Sequence, residues 1–472
     1  MENSSENNLS YMKCKVCGEV IEGMVAPEIC VVCGSGAEAF EKYTPHEEHI
    51  ILNNIELEVV IIGAGIAAVS AAKAIRERNK LAKIDLYTNE SEYPYNRPLL
   101  TKGLGRDITK MKYFVEDKDF YIENEINIHF NCLVNEINPD EKNVVISQNS
   151  DSNNPNIIVD NRNTEVVSYD KLLIATGAEA FVPPFQGCQL PEVCVLRRKI
   201  DLDHLYSVLQ SGANDSKNVV IIGGGLLGLE TASALDRMGH SVTVIEACPS
   251  ILPRQLDADG APILLASIAE NSNVTVKYGV FVEKILGEEC VEAVQTKDGE
   301  IIDCNCVLIS AGNTANNQLA KDANLLTSRA INVNKYMQTS NDDIYAAGDC
   351  AVYEERIDGI WETAKDQGEV AGANIAGEKT VYNSKPFGAT FRAFKTSLFS
   401  IGEINVEKCD KNSVYSFVEE KNEPRKIYNK FVFKNGLLVG GVLLGSVAKT
   451  KELIVGVTNK VNEEEAKKLN LI

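Results

Sequence analysis

From about residue 57 onward the chain alternates short apolar runs with amphipathic stretches, the pattern of a layered α/β protein. Two of these stretches echo each other: EVVIIGAGIAAVSAAKAI from Glu58 and NVVIIGGGLLGLETASAL from Asn218. Each predicts a β-rich run, a tight glycine turn, and a helix carrying small and apolar residues at helical spacing. Near the C-terminus, KFVFKNGLLVGGVLLGS reads as a hairpin, with Asn435-Gly436 suited to the positive φ angles of a type I′ turn. The run SQNSDSNNPN, Ser147 to Asn156, reads as a loop, because its side chains compete with regular backbone pairing. The uncharged apolar run Val59 to Ala72 is too short to span a bilayer and contains a glycine turn.

At 472 residues the expectation is two to four domains. A composition 44% hydrophobic and 24% charged suits a globular chain with large cores. The formal net charge of -20 argues against nucleic acid or an anionic membrane as partner. The polar start MENSSENN is not a signal peptide, and the expected location is cytoplasmic.

Four of the thirteen cysteines, Cys14, Cys17, Cys30 and Cys33, form a C-x2-C-x12-C-x2-C cluster. That spacing predicts a tetrahedral metal site of four thiolates, suited to iron or to zinc. The other nine are scattered and read as small core residues, and in Cys304-Asn-Cys306 one sulfur is expected to point inward. The following TPHEEHIILNN reads as a linker, with His46 and His49 solvated rather than ligating.

Both glycine turns have the spacing of a dinucleotide-binding unit, Gly63-x-Gly65-x-x-Ala68 and Gly223-x-Gly225-x-x-Gly228. The first glycine permits the turn and the second lets the backbone approach a pyrophosphate. The third, small, residue lets helix and strand pack. Two such units imply two dinucleotides. Glu246, ending the second strand of the second unit, is placed to bond both ribose hydroxyls and to repel a 2′-phosphate, which predicts a preference for NADH. In the first unit the equivalent position is Thr88, with Glu90 the ribose candidate just behind it.

With these turns placed, the chain from Glu58 to its end resembles the FAD-dependent pyridine nucleotide oxidoreductases, most closely the NADH:rubredoxin oxidoreductases and the flavin modules of NADH-dependent nitrite reductases. YNRPLLTKG resembles the flavin-contacting loop, which implies Arg97 near FAD phosphate or adenine and Lys102 near the isoalloxazine. LLIATGA, with Ala175, Thr176 and Gly177, resembles the crossover out of the FAD domain, and LISAGN the return. DIYAAGDCA, with Gly348 and Asp349, resembles the second FAD motif, and WETAKDQG, with Thr363, the helix directed at the flavin pyrimidine edge. The resemblance also implies Glu230 near the nicotinamide. The N-terminal cluster and the tail GAEAFEKY resemble the rubredoxin-like domain of rubrerythrins, without the long aromatic-rich middle of a full-length rubredoxin.

The implied fold class is α/β, with two Rossmann-like dinucleotide-binding domains (FAD and NAD), a C-terminal α+β domain and a small N-terminal metal-bound rubredoxin-like module. Expected bounds are 11–45 for the metal module, 46–56 for the linker, 57–180 and 308–380 for the two parts of the FAD domain. The NAD domain is expected over 181–307 and the C-terminal domain over 381–472. No redox Cys pair follows residue 33 in the positions used by disulfide reductases of this superfamily, and the flavin loop holds no sulfur. The implied function is an NADH-dependent flavoprotein reductase passing electrons through FAD to an Fe(Cys)4 centre. Its acceptor would be a redox protein such as rubredoxin, rubrerythrin or a flavodiiron protein. The alternatives are an NADH oxidase or a nitrite-reductase-like flavin module whose N-terminal domain is a zinc-bound docking adaptor.

Overall fold

The computed structural model describes residues 10–16, 19–28, 30, 36–43, 53–106, 112–148, 164–211, 216–386, 388–405 and 413–472. The expected linker up to residue 52 and most of the 147–156 loop lie outside these residues, as do Cys17, Cys33, His46 and His49.

The first apolar run forms the strand Leu57–Ile62, which turns at Gly63 into the helix Ile66–Arg78. The strand is central in a five-stranded parallel sheet, ordered Ile344–Ala346, Lys171–Ile174, Leu57–Ile62, Ala82–Tyr87, Ile126–His129. Val59 to Ile62 are all buried, the continuous apolar run that a sheet covered on both faces requires. The second unit repeats the plan. Its strand Asn218–Ile222 lies in a five-stranded parallel sheet between Cys306–Ile309 and Ser241–Glu246, with Val193–Cys194 and Thr275–Tyr278 at the edges. The helix Leu226–Arg237 follows its glycine turn.

Chain crossings between the two units pair with each other, Ala178–Ala180 running antiparallel to Asn313–Ala315. The strand Cys306–Ile309 is hydrogen-bonded into the second sheet on both sides. It therefore runs through the expected boundary at 307/308, because the chain leaves the second sheet only after its apolar strand is paired. The expectation for Cys304 and Cys306 also fails: both are buried, at 4% and 0% exposure. Both are buried because the sheet is covered on each side: Cys306 packs in the same apolar cluster as Leu308, while Cys304, just before the strand, packs in the other with Val307 and Ile309.

Helix Ile66–Arg78 packs along helix Trp361–Ile375, and small residues set the approach. A Cβ on Gly372 would lie 2.8 Å from the Ala71 Cα, and one on Gly368 2.8 Å from the Ala67 Cα. This pair ties the first glycine turn to the segment after Asp349.

The C-terminal sheet is antiparallel, ordered Gly388–Ala393, Thr396–Gly402, Leu437–Leu444, Ile427–Lys434, Tyr415–Asn422. Asn435 and Gly436 take φ angles of 51° and 79°, the turn expected of that hairpin. Helix Thr450–Asn459 packs on the sheet. The N-terminal strands Tyr11–Cys14, Val20–Glu22 and Phe40–Tyr43 form a small antiparallel sheet. Its Met12, Cys14, Val16, Cys30 and Phe40 share one apolar cluster with Phe399, Phe431, Phe433 and Leu453 of the C-terminal domain. So few residues cannot bury enough surface alone, so the module borrows its neighbour's core. Among the described residues no helix is long and apolar enough to cross a membrane.

Candidate functional site

Both glycine turns are built by the same steric arrangement. Gly63 has φ 107° and its Cβ would overlap the Ala175 backbone; Gly223 has φ 120° and its Cβ would overlap that of Ser310. At Gly65 and Gly225, by contrast, nothing lies within 4 Å of an added Cβ. Each therefore leaves an open cradle at a helix N-terminus, where backbone N–H groups and the helix dipole favour a phosphate. The third positions pack: a Cβ on Gly228 would overlap the Gly223 carbonyl, and Ala68 is fully buried.

The first cradle opens into a cavity walled by Gly65, Ala175, Gly177, Gly348, Asp349 and Glu362 on one side and by Arg97, Thr101, Lys102 and Glu230 on another. The end beyond Gly63 is lined by Thr88, Glu90, Arg97, Thr176 and Arg197. Thr176 is held by reciprocal bonds with Asn316, its hydroxyl donating to the Asn316 carbonyl at 2.7 Å and its carbonyl accepting from Nδ2 at 3.0 Å. The Gly348 N–H donates to Gln367 at 2.9 Å. These bonds fix the cavity wall across three separate chain segments. Thr363, buried in the first turn of its helix, donates to Asp358 at 3.2 Å and does not line the cavity.

Glu90 faces this cavity, but its carboxylate already accepts from the Tyr95 hydroxyl at 2.6 Å and from Arg97. Arg97 also donates to the Arg197 carbonyl at 3.1 Å. Arg197, absent from the sequence expectations, pairs with Asp349 at 2.5 Å and donates from Nε to the Ala178 carbonyl at 3.0 Å. It lines both ends of the cavity. No sequence motif marks it, since its partner lies 152 residues away.

Glu230 and Lys102, far apart in sequence, meet across this cavity. Burial pushes the Glu230 carboxyl up, more strongly than the Lys102 ammonium, the Thr101 hydroxyl and the Arg392 N–H pull it down. Thr101 lies 3.4 Å from Glu230. A second cavity, around Gly223, Gly225, Glu246 and Cys248, shares the walls Thr101, Leu226 and Leu227 with the first. Two cradles thus feed one junction. Glu246 is buried and accepts from the Gly224 and Cys248 N–H groups, both at 2.7 Å. These bonds orient the carboxylate at the strand end and keep its remaining lone pairs toward the cavity.

Cys14 and Cys30 are buried, at 0% and 2% exposure, and the Cys14 N–H closes a turn on the Glu19 carbonyl at 2.7 Å. Two thiols so close to a shared apolar core, within a four-thiol spacing, fit a thiolate-bound metal ion rather than solvent. Cys17 and Cys33 fall outside the described residues. Val16, between Cys14 and Cys17 in sequence, lines the first cavity together with Lys102, Glu230 and Asp349. Sequence reading missed this residue, since an apolar side chain in a knuckle looks like ordinary packing.

Residues 57–368 match the family described as pyridine nucleotide-disulphide oxidoreductase. Residues 389–460 match the rubredoxin NAD+ reductase C-terminal domain, and 13–41 the rubrerythrin, rubredoxin-like domain. The chain is 30% identical over 420 residues to a nitrite reductase [NAD(P)H] of Bacillus subtilis, covering 88% of this chain and 49% of that one. It thus spans about half of that relative's length. It is 31% identical over 338 residues to a rubredoxin-NAD(+) reductase of Pseudomonas putida, covering 70% of this chain and 83% of that one. A solved NAD-dependent persulfide reductase from A. fulgidus superposes with a TM-score of 0.77 at 26% identity, covering 87% of this chain and 78% of that one.

Proposed function

The chain belongs to the pyridine nucleotide-disulphide oxidoreductase family, and on that premise we propose that it is an NADH-dependent flavoprotein reductase that delivers electrons to its own thiolate-bound metal. A redox protein of the rubredoxin type would then take them onward. The observation that carries this reading is Val16: a residue between two of the four clustered cysteines forms part of the wall around Lys102, Glu230 and Asp349. A metal held by its neighbours would be carried on the segment that borders that wall.

Bound FAD supplies the conversion of a two-electron hydride donor into single electrons. The residues supply placement. The cradles at Gly65 and Gly225 would hold one pyrophosphate each, and Glu246 would take the ribose hydroxyls of NADH. Arg197 and Asp349, paired, would orient the phosphate and ribityl region, while Arg97, Ala175, Thr176 and Gly177 close the adenine end. Thr363, off the cavity, would act only through Asp358, by holding the first turn of its helix. Glu90, engaged by Arg97 and Tyr95, would orient Arg97 rather than bind ribose alone. Lys102 places a positive charge where negative charge grows on reduction, and the buried Glu230 tempers that cation while leaving the junction dry. Catalysis is then mostly positioning with water excluded.

Iron fits this role better than zinc, because a one-electron centre accepts what the flavin releases and zinc has no redox chemistry. Visible absorption and metal analysis of the purified protein distinguish them. The functional test is Cys33→Ser, which replaces a thiolate by a far less acidic hydroxyl. NADH should still bleach the flavin at near the wild-type rate, and transfer to an added rubredoxin should fall sharply. Equal transfer by variant and wild type would take the module off the electron path and leave it a docking adaptor.

A further inference from the structure

The N-terminal module touches the flavin cavity without contributing to either dinucleotide cradle. Val16 is 5% exposed and enters the cavity wall beside Trp361 and Thr390. On one flank Glu19 pairs with Lys112 at 3.0 Å. On another, Glu38 pairs with Arg392 at 3.4 Å. Lys112 belongs to the FAD-binding unit and Arg392 to the C-terminal sheet, so the two pairs fasten the module to both domains that border the cavity. Glu19 and Val20 also line a groove with Ile66 and Trp361, continuing the contact to the glycine-turn helix.

We propose that the metal module is the stopper of the flavin cavity, seated by Val16 and fastened by the Lys112–Glu19 and Arg392–Glu38 pairs, and that it keeps dioxygen from the reduced flavin. The surface concerned is the cavity rim, and its occupant is the described part of the module, residues 11–16, 19–28, 30 and 36–43 of this same chain. A flavin left open to solvent passes two electrons to dioxygen: NADH, a proton and O2 give NAD+ and hydrogen peroxide, one C–H bond of NADH breaking as its hydride leaves and two O–H bonds forming, the second with the solvent proton. Covering the rim suppresses that leak and reserves the electrons for the reductase's own acceptor. This inference rests on the flavin occupying the cavity, and not on the metal being iron.

The test uses the full chain loaded with FAD. Lys112→Glu/Arg392→Glu turns both attractions repulsive, and adding Glu19→Lys/Glu38→Arg restores them with reversed sign. Beside flavin bleaching by NADH without oxygen, which should stay at the wild-type rate, three quantities are measured: hydrogen peroxide formed from NADH in air, emission of Trp361, the sole tryptophan of the chain, and iodide quenching of the bound flavin. The double variant should form peroxide about fivefold faster, the scale of two surface ion pairs made repulsive. Its Trp361 emission should move to the red, and iodide should quench the bound flavin more strongly. The quadruple variant should return all three toward wild type. Val16→Asp, which places a charge in the apolar wall, should mimic the double variant if the latter does not accumulate as folded protein. Peroxide formation unchanged in both the double variant and Val16→Asp, with Trp361 emission shifted, would overturn the stopper. Wild type that binds FAD yet is not bleached by NADH would instead overturn the reductase reading itself.

Discussion

Gly225→Ala and Gly228→Ala differ by three positions and should fail in opposite ways. At Gly225 an added methyl meets no protein atom within 4 Å, and φ is -79°, so the apo fold loses under about 1 kcal/mol, the cost of a poorer N-cap. The methyl instead projects into the open cradle, holding a pyrophosphate off the helix N-terminus and weakening about two charge-assisted bonds. At ~1.5 kcal/mol each that is ~3 kcal/mol, or about a 100-fold rise in KM for NADH. At Gly228 the methyl overlaps the Gly223 carbonyl. Overpacking of this kind costs about 1–3 kcal/mol, against about 1 kcal/mol regained in helix propensity, so the fold is the loser by up to ~2 kcal/mol. Stopped-flow flavin bleaching against NADH concentration reads KM, absorbance reads FAD per chain, and thermal melting of the apo protein reads stability. Gly225→Ala should keep its FAD and its melting temperature while losing NADH. A Gly225→Ala variant with KM within about threefold of wild type would refute the assignment of the second cradle to NADH.

Wild type should prefer NADH over NADPH by at least about tenfold in kcat/KM, and Glu246→Gln should narrow that ratio, checked by steady-state kinetics; equal ratios in the two proteins would remove Glu246 from the argument. Alkylating accessible thiols should leave flavin reduction by saturating NADH intact. Among the described cysteines only Cys290 is exposed, Cys188 and Cys248 are half-buried, and burial beside Cys306 and Asp303 pushes Cys304 up to about 12. Loss of bleaching traced to a modified cysteine at the flavin would contradict the thiol-free path. Asp257 is a stability prediction with a pH sign. Burial pushes its carboxyl up, but hydrogen bonds from Lys430, Tyr428 and the Gly260 N–H together draw it below the ordinary range. The stability it contributes is therefore complete above about pH 4 and is lost as pH falls through the depressed value. Asp257→Asn should cost about 3 kcal/mol at pH 7, the scale of breaking a buried pair, and the gap to wild type should shrink below pH 4 in denaturant titrations.

Local chemistry decided what the sequence alone made legible. A glycine turn between an apolar strand and a small-residue helix is specified by sterics within a dozen residues, so both cradles and the turn at Asn435-Gly436 could be read before any coordinate. The four-thiol spacing is equally local. The two parallel sheets followed from continuous apolar runs, which only a doubly covered sheet can bury. Pairings that close over long stretches of chain were not legible. Arg197 meets Asp349, Thr176 meets Asn316 and Glu38 meets Arg392 only because sheet order and the crossover ribbon bring those segments together. The second sheet keeps Cys306–Ile309 past the expected boundary for the same reason, since strand partners and not composition say where a domain ends. Val16 is the clearest case. Its sequence context shows an apolar residue in a cysteine knuckle, and tertiary packing alone decides that it faces the cavity of Lys102 and Glu230, because burial against a neighbouring domain depends on surfaces that lie hundreds of residues away.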